Sequence, residues 1–536
     1  MEKHENQATT EHLSGAGDEA LADRVIPGEA DVRLGHFQER QRTLSVKDAM
    51  KESWKAVAWC GYMLFICVMF GYDSLAGSNV VSIAEFRKDF GYLYGDEYVV
   101  SADWQLGFQA ATFGGLIIGG LSTGFLVQRF GRRNIIFAAY IINIGGVFLQ
   151  YFCTTPAAFL GSKLLVGVPL GCFSTVAPTY SAEVAPLAVR GAVTAGMNLA
   201  IVLGNLLGYG VMREAGFYTG KATYRIMFAV QWGFIGVGIL ILPLLPESPY
   251  WLLSHGKPEQ ARHNIAKTHS ATYDVDGHLA DVQAALTEQA LNNQGQGTIA
   301  DCFKEKTWRR TLVAVSVFFI QNACGTAWVV GYMSYFMQIA GMSAARSFDI
   351  TVGICGLMVV GNACGGFFIE SVGRRGTALY GTSALFVTLL LIGILAVVDS
   401  QGALVAQVVL MGMWAFLYQG TIGSAAWPIS AENASSWLRT PTQSLCTIVN
   451  AVSASIWGLS LPYMVNPDRS NLQGKVAFIF AAVLALSTIF IYFFIPETKG
   501  KSYEVIDELW SRGVSPRNFG EEGAVPAAQE IKLEAV

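Results

Sequence analysis

Long apolar runs separated by short polar connections recur along the whole chain. A helix needs about 20 mostly apolar residues to cross a bilayer, and only helices or closed barrels satisfy their backbone there. Six such runs precede a polar stretch at 254–310, and six follow it. They cover residues 56–77, 104–127, 135–152, 157–179, 192–212, 226–245, 311–337, 350–369, 378–398, 403–430, 442–465 and 476–495. The pattern predicts an all-α membrane protein with twelve transmembrane helices in two six-helix halves.

The polar segments divide this chain into five parts. Residues 1–50 are predicted to be a disordered tail, 51–250 the first bundle, 251–310 a helical middle loop, 311–500 the second bundle and 501–536 a second tail. The first segment lacks the apolar core of a signal peptide. Lys and Arg gather in the middle loop and after the second, fourth, eighth and tenth runs. The positive-inside rule therefore predicts that this side, with both termini, is cytoplasmic.

Composition agrees with a membrane protein and excludes several other classes. The chain is 52% hydrophobic and only 14% charged, whereas soluble domains have about 25% charged residues. The formal net charge of −4 gives no reason to expect a nucleic-acid partner. Nine cysteines, mostly inside apolar runs, lack metal-ligand spacing. We expect no metal, no cofactor and no enzymatic activity.

Charged motifs in the first half recur in the second half. The segment 124–133 returns as 366–375, and the offsets between the paired motifs are 242, 249 and 250 residues. The first copies contain Arg132, Arg133, Glu183, Arg190 and Glu247, and the second copies contain Glu370, Arg374, Arg375, Glu432, Arg439 and Glu497. This duplication is typical of transporters whose two halves rock around a site at the bilayer midplane.

These motifs place arginines beside carboxylates at helix ends. We predict that they act as a gate, which locks the inner ends of the halves in one state and separates in the other. The alternative is that they only anchor the orientation of the helices, but acidic residues contribute little to the positive-inside rule. The paired carboxylates therefore favour the gating hypothesis.

Two lone charges lie inside predicted spans. Asp73 belongs to the first span and Lys163 to the fourth. Ionisable groups at this depth are costly, and they mark functional sites by default. Their mutual attraction would offset part of the desolvation of each, so a purely structural pair is the alternative.

Several motifs together resemble the sugar porter family of the major facilitator superfamily. They are Gly-Arg-Arg at 131–133, Pro-Glu-Ser-Pro-Tyr-Trp-Leu-Leu at 246–253 and Pro-Glu-Thr-Lys-Gly at 496–500. Trp104-Gln105 and the segment 506–519 look like those of fungal α-glucoside (maltose-type) permeases. The resemblance implies a plasma-membrane carrier that works as a monomer on a small sugar.

The resemblance also implies a central site built from both halves. Its side chains would be Asn198, Asn205, Gln321, Asn322, Tyr332 and Asn450. Amides both donate and accept hydrogen bonds, which suits a ring of sugar hydroxyls, and an aromatic face suits the apolar side of a sugar. The alternative is that each amide is packing glue between helices. Relatives have a tryptophan in span ten at a position that our alignment assigns to Ile422.

In proton-coupled sugar porters, the acid at the position of Asp73 carries the proton and a span-four base is its partner. This resemblance implies that Asp73 and Lys163 couple transport to protons. However, α-glucoside permeases have further acids at positions occupied here by Phe70 and Leu116. Import by proton symport is our prediction, and a facilitative sugar or polyol uniporter and a transporter-like sugar sensor are the alternatives.

Overall fold

The computed structural model describes residues 35–522, except residues 42, 95–96, 217, 219, 294–298, 305–306, 399, 436–437, 468, 500 and 502. Eleven helices in this part of the chain are long and apolar enough to cross a membrane. The remaining predicted span, at 192–212, lies within the 29-residue helix Leu187–Ala215. The prediction of a twelve-helix membrane protein in two halves is confirmed.

The crossing helices are called spans 1 to 12. Their bounds are Trp54–Asn79, Ala102–Phe130, Arg132–Phe152, Pro156–Val184, Leu187–Ala215, Ala222–Ile241, Trp308–Ala323 continued by Thr326–Gly331, Ala344–Val372, Arg374–Leu395, Gln401–Gly420 continued by Ile422–Asn433, Arg439–Val465 and Val476–Phe494. Spans 2 and 3 join at Gly131, and spans 8 and 9 join at Gly373. We call the face that carries both joins the motif face, and the other the opposite face.

Shorter elements cover both ends of the bundle. On the motif face they are the helices Val46–Glu52, Pro249–Ser254, Pro258–Thr268, Val275–Asn293, Tyr503–Ser511 and Phe519–Glu522. On the opposite face they are the helices Ala84–Phe90 and Met333–Ile339 and two antiparallel strands, Tyr92–Tyr94 and Glu97–Val99. Three of these helices, Val46–Glu52, Tyr503–Ser511 and Phe519–Glu522, begin inside the segments predicted as tails, whereas residues 1–34 and 523–536 lie outside the described residues.

Spans 7 and 10 are each interrupted, which the sequence pattern did not predict. Gly325 adopts a φ of 92° between the two parts of span 7, a left-handed conformation that glycine adopts without a steric cost. Span 10 is interrupted at Thr421, with φ −121° and ψ −101°. Both runs are mostly apolar along their whole length, so their hydrophobicity alone gave no sign of a break.

Glycines allow very close contact between spans 2 and 4. A Cβ on Gly119 would lie 2.0 Å from the carbonyl oxygen of Val168, and one on Gly171 would lie 2.2 Å from that of Leu116. Small residues permit this backbone approach in membrane bundles. The two halves contact each other along spans 2 and 11 and along spans 5 and 8.

Candidate functional site

Asp73 and Lys163 both lie inside the first bundle. Each is 3% exposed, and span 1 packs against span 4. Among the described residues, however, no ion pair within 4.0 Å joins them. The fold places the two charged side chains in one region of the first bundle, as expected, but they do not form an ion pair with each other in this conformation.

Asn143 of span 3 is the direct partner of the carboxylate, and the sequence reasoning missed it. Its Nδ2 donates a hydrogen bond of 3.1 Å to Oδ2 of Asp73, and the Asn143 side chain is fully buried. In the described part of the chain, neither Oδ1 of Asp73 nor Oδ1 of Asn143 has a hydrogen-bond partner. An amide near the middle of the apolar run of span 3, which also contains Gln150 near its end, was the signal that could have identified it.

Lys163 is seated against span 1, one helical turn beyond Asp73. A Cβ on Gly77 would lie 2.1 Å from its Nζ, so glycine leaves the space that the ammonium group occupies. The Nζ also lies 5.0 Å from the ring centroid of Phe159. Cation–π contacts of this kind are stronger where water is excluded. The ammonium group of Lys163 therefore contacts a neutral aromatic ring, and it lies about one helical turn along span 1 from Asp73.

The predicted amides of the second bundle lie on adjacent helices. Asn322 donates a hydrogen bond of 2.7 Å to Oδ1 of Asn450, which links spans 7 and 11. Gln321 donates one of 3.0 Å to the carbonyl oxygen of Gly423, just beyond the break in span 10. All three amide side chains are partly buried. The structure therefore places Gln321, Asn322 and Asn450 on adjacent helices, and their role in binding a sugar stays a prediction.

Gln419 joins the amides of both halves and was also missed from sequence. Its Oε1 accepts hydrogen bonds of 3.3 Å from Asn198 in span 5 and 3.2 Å from Asn362 in span 8. Gln419 lies just before the break in span 10. Asn198 and Gln419 thus connect the two halves near the middle of the bundle.

Two other predicted site residues lie elsewhere. Asn205 is partly buried on span 5, seven residues beyond Asn198 toward the opposite face. Tyr332 follows span 7 and points its hydroxyl toward Oε1 of Gln105, at 3.5 Å. Tyr332 therefore belongs to the contacts that cover the opposite face. It is not part of the group of amides near the middle of the bundle, which includes Asn198.

The aromatic residue of span 10 near the amides is Trp427, and our assignment of that position to Ile422 does not fit the geometry. Ile422 is fully buried, whereas Trp427 is 50% exposed. Trp427 lies one turn after Gly423, the acceptor of Gln321, so both lie on one helix face. Its ring makes an edge contact with Phe318 of span 7, with centroids 5.1 Å apart.

The opposite face is closed by contacts between the halves. Asp103 accepts hydrogen bonds of 2.7 Å from Tyr463 and 2.9 Å from Arg469. Arg213 forms an ion pair with Asp349. Gln105 donates a hydrogen bond of 3.0 Å to Asn466, and Arg87 donates one of 3.1 Å to Gln338. These polar contacts cover the amides from this side.

The charged motifs form two similar clusters on the motif face. In the first, Arg132 forms an ion pair of 2.6 Å with Glu183. Glu247 accepts hydrogen bonds from the backbone N–H groups of Arg132, at 2.9 Å, and Arg133, at 3.1 Å. Gly131, at φ 84°, makes room for this carboxylate, because a Cβ there would lie 2.5 Å from its Oε2.

The second cluster repeats this geometry. Arg374 and Glu432 form an ion pair of 3.0 Å, and Glu497 accepts N–H bonds of 2.9 Å from Arg374 and 3.1 Å from Arg375. Gly373 has φ 92° and the same close approach to Glu497. The duplicated motifs therefore build duplicated helix joins.

Each cluster connects spans within one half. None of the ion pairs and hydrogen bonds found for these carboxylates among the described residues joins the halves. Glu370 is exposed, Arg190 donates a hydrogen bond of 3.4 Å to the Ala185 carbonyl oxygen, and the side chain of Arg439 lies outside the described residues. A gating role for these residues stays a prediction.

Comparison with known proteins gives the family. Residues 59–510 match the family described as sugar (and other) transporter. The chain is 28% identical over 487 residues to the general alpha-glucoside permease of Saccharomyces cerevisiae, covering 89% of this chain and 79% of the permease. It is 27% identical over 514 residues to the maltose permease MAL31 of the same yeast, covering 94% and 81%. It is also 27% identical over 536 residues to the MFS transporter fmqE of Aspergillus fumigatus, covering 99% and 98%.

Solved structures with the same fold include two of the xylose transporter XylE from E. coli. The inward open conformation matches with a TM-score of 0.70 at 20% identity, covering 85% of this chain and 100% of XylE. The partially occluded inward open conformation matches with a TM-score of 0.68, covering 84% and 100%. The likeness of fold, the family match and the duplicated motifs agree: the chain belongs to the sugar (and other) transporter family, as a major facilitator sugar porter similar to the fungal maltose-type transporters.

Proposed function

We propose that this protein imports a sugar, of the α-glucoside or hexose type, by proton symport with alternating access. The observation that carries the proposal is the buried carboxylate of Asp73, which lies in the first bundle without an ion pair to Lys163. A carboxylate that is costly to ionise at this depth is a natural proton carrier.

The amides between the bundles support a sugar as substrate. Gln321, Asn322 and Asn450 lie on neighbouring helices, and Asn198 reaches Gln419 from the other half. Amides donate and accept at once, so these hydrogen bonds can be exchanged for bonds to sugar hydroxyls at little net cost. Trp427 offers an exposed aromatic face beside them. The names of the yeast relatives, an alpha-glucoside permease and a maltose permease, agree with this substrate class.

Alternating access would open and close the two faces in turn. The contacts of Asp103, Arg213, Gln105 and Arg87 between the halves support an inward-facing state, closed on the opposite face. In this proposal the motif face is cytoplasmic, because Lys and Arg concentrate there. The chain would then be a multi-pass plasma-membrane protein with both termini in the cytoplasm.

Asn143 can form a hydrogen bond with Asp73 in both protonation states of the acid. It donates to the carboxylate through Nδ2, and its unpartnered Oδ1 could accept the hydroxyl of a protonated Asp73 after the amide turns. Protonation removes the negative charge that attracts Lys163 across span 1. We propose that this loss of attraction, about one helical turn from the ammonium group, lets the loaded carrier change state.

Reconstituted vesicles test the coupling. With an inward proton gradient and radiolabelled maltose or glucose, the native protein should accumulate substrate above equilibrium. The variant Asp73→Asn should lose accumulation while it retains exchange of labelled for unlabelled sugar, because the neutral amide mimics the protonated acid. Asp276→Asn, in the middle loop, is the matched control. Accumulation by Asp73→Asn contradicts the coupling role of this residue.

A facilitative uniporter is the second candidate. The replacement of acids of the α-glucoside permeases by Phe70 and Leu116 favours it, because these positions cannot bind protons. The same vesicles separate the candidates: a uniporter equilibrates labelled sugar but never concentrates it, and its rate is the same with and without a proton gradient.

A further inference from the structure

A groove lies on the motif face where the first bundle meets the middle loop. It is lined by the first turn of span 3, the segment 243–247 that follows span 6 and the helix Pro258–Thr268. Its volume is about 450 Å³. This is within the range of small-molecule sites in proteins. The groove is separate from the amides of the proposed sugar site, which lie at the middle of the spans.

Three basic side chains line this groove without a protein partner. Arg133 begins span 3, and His263 and Lys267 are four residues apart on one face of Pro258–Thr268. All three side chains are exposed, and none has a hydrogen bond or ion pair to another described residue. Of the two lining carboxylates, Glu259 is exposed, and both oxygens of Glu247 accept backbone N–H groups.

An apolar strip leads from the groove into the bilayer region. On span 3, Phe137 and Ile141 follow Arg133 at intervals of four residues, and each is 51% exposed. Leu240, near the end of span 6, is 78% exposed, and Leu244, in the turn just after this span, is 63% exposed. Spans 3 and 6 contact each other. Because Leu244 also lines the groove, apolar surface adjoins the basic side chains.

We propose that this groove binds an anionic phospholipid. The phosphate and headgroup would lie between Arg133, His263 and Lys267, while an acyl chain follows Phe137 and Leu240 along spans 3 and 6. Basic pockets between membrane helices are a recognised chemistry for anionic headgroups. A free phosphate ion could use the basic side chains alone, whereas a phospholipid can contact both these side chains and the apolar surface beside them, and we commit to the phospholipid. The site is separate from Asp73 and from the amides of the proposed sugar site, and it shares Arg133 and Glu247 with the first charged cluster of the motif face.

Native mass spectrometry of the full-length protein tests this site. Detergent-purified protein is mixed with equal amounts of phosphatidylserine and phosphatidylcholine of the same acyl composition. A groove lined by unpaired basic side chains should retain phosphatidylserine in preference, and the variant His263→Gln/Lys267→Gln should weaken its retention about fivefold or more, since one basic residue near a headgroup contributes about that factor. The control Lys257→Gln/Arg262→Gln changes the same middle-loop segment outside the groove and should retain the preference.

A second variant and a second ligand complete the test. Leu240→Gln places a polar group in the apolar strip and should weaken phosphatidylserine binding without changing the charge. Inorganic phosphate at millimolar concentration should not displace the bound lipid. Equal retention of the two lipids by the native protein overturns the proposal, as does an unchanged preference in both variants. Displacement of the lipid by inorganic phosphate also overturns it, in favour of a soluble anion site.

Discussion

Asp73 illustrates how an acid is accommodated inside a bundle of apolar helices. Its carboxylate receives one hydrogen bond, from Asn143, and no ion pair from the nearby Lys163 among the described residues. Hydrogen bonds to a charged group are stronger than those between neutral groups, so this amide favours the ionised acid. A neutral amide thus offsets part of the cost of burying the ionised acid.

Removal of Asn143 should change the pH dependence of transport. In Asn143→Leu the ionised carboxylate loses its donor, so protonation becomes easier. Since a lost hydrogen bond to a charged group costs about 1.5–3 kcal/mol, the pH of half-maximal uptake should rise by about one unit or more. Uptake of labelled sugar by vesicles between pH 4 and pH 8 measures this. The control is Asn134→Leu, at an exposed position on the same span. An unchanged pH profile in Asn143→Leu would contradict the conclusion that Asn143 stabilises the ionised carboxylate of Asp73.

A histidine of the middle loop should make stability depend on pH. His278 accepts or donates a hydrogen bond of 3.1 Å to the Tyr273 hydroxyl and stacks on Phe37. Burial, together with the neighbouring His269 and Arg190, lowers the pKa of His278 to about 3 from the usual 6.5. The unfolded segment binds a proton more readily, so the stabilisation is complete above about pH 6.5 and is lost as the pH falls toward 3.

The thermal midpoint of the purified protein should therefore be lower at pH 5 than at pH 7.5. In His278→Phe this fall should be smaller, because the ring can still pack against Phe37 but cannot take up a proton. His255→Phe replaces an exposed histidine of the same loop and should behave as the native protein. A pH dependence that is the same in all three proteins would show that His278 does not cause it.

At the scale of the helices, the backbone near the breaks in spans 7 and 10 is hydrogen-bonded by side chains of the other span. The break in span 7 frees the carbonyl oxygen of Cys324, which accepts a hydrogen bond of 3.1 Å from Trp414 Nε1 in span 10. The carbonyl oxygen of Gly423, after the break in span 10, accepts from Gln321 of span 7. Irregular backbone at membrane depth is tolerated where neighbouring helices satisfy it.

Gly325→Ala should destabilise the break in span 7. An alanine at φ 92° puts its Cβ close to the following carbonyl oxygen, which costs about 1–2 kcal/mol. The thermal midpoint should therefore fall by about 1–2 °C relative to Gly331→Ala, at a position where a Cβ meets no atom within 4 Å. Equal midpoints of the two variants would indicate that the break does not require a glycine.

The whole molecule is closed on one face and held there by few polar contacts. The ion pairs Asp103–Arg469 and Arg213–Asp349 join the halves through exposed side chains. Exposed pairs contribute about 0.2–1 kcal/mol each, so they bias a conformational equilibrium without fixing it. Such weak contacts suit a carrier that must open this face in every cycle.

The double variant Asp103→Ala/Asp349→Ala should shift the population toward the state open on the opposite face. Spin labels at Leu93 and Gln401, both exposed on this face, report the opening as a longer distance between the halves. Loss of two pairs should increase the open population a few-fold. Asp89→Ala, whose carboxylate binds Tyr224 within the first half, is the control. A distance distribution like that of the native protein would show that the pairs do not hold this face closed.

The positions of the functional side chains were only partly predictable. Span lengths and the duplicated charges follow from local sequence, and the helices and the joins at Gly131 and Gly373 agree with them. Asn143 and Gln419 were missed because an amide in an apolar run looks the same whether it packs between helices or serves a site. The position in span 10 was assigned to Ile422 by alignment, although Trp427 lies in the same span, because the sequence does not show which of these side chains is buried.

The sequence by itself determined the number of membrane spans, the two-fold duplication and the family, because apolar length and repeated charged motifs are properties of the chain alone. Only the tertiary structure decided which groups meet. It seated Lys163 against Gly77 rather than on Asp73, joined Asn198 to Gln419 and closed one face of the molecule. The physical reason is that contacts across helices depend on how the helices rotate and break, and the apolar pattern of a fully buried helix does not specify either.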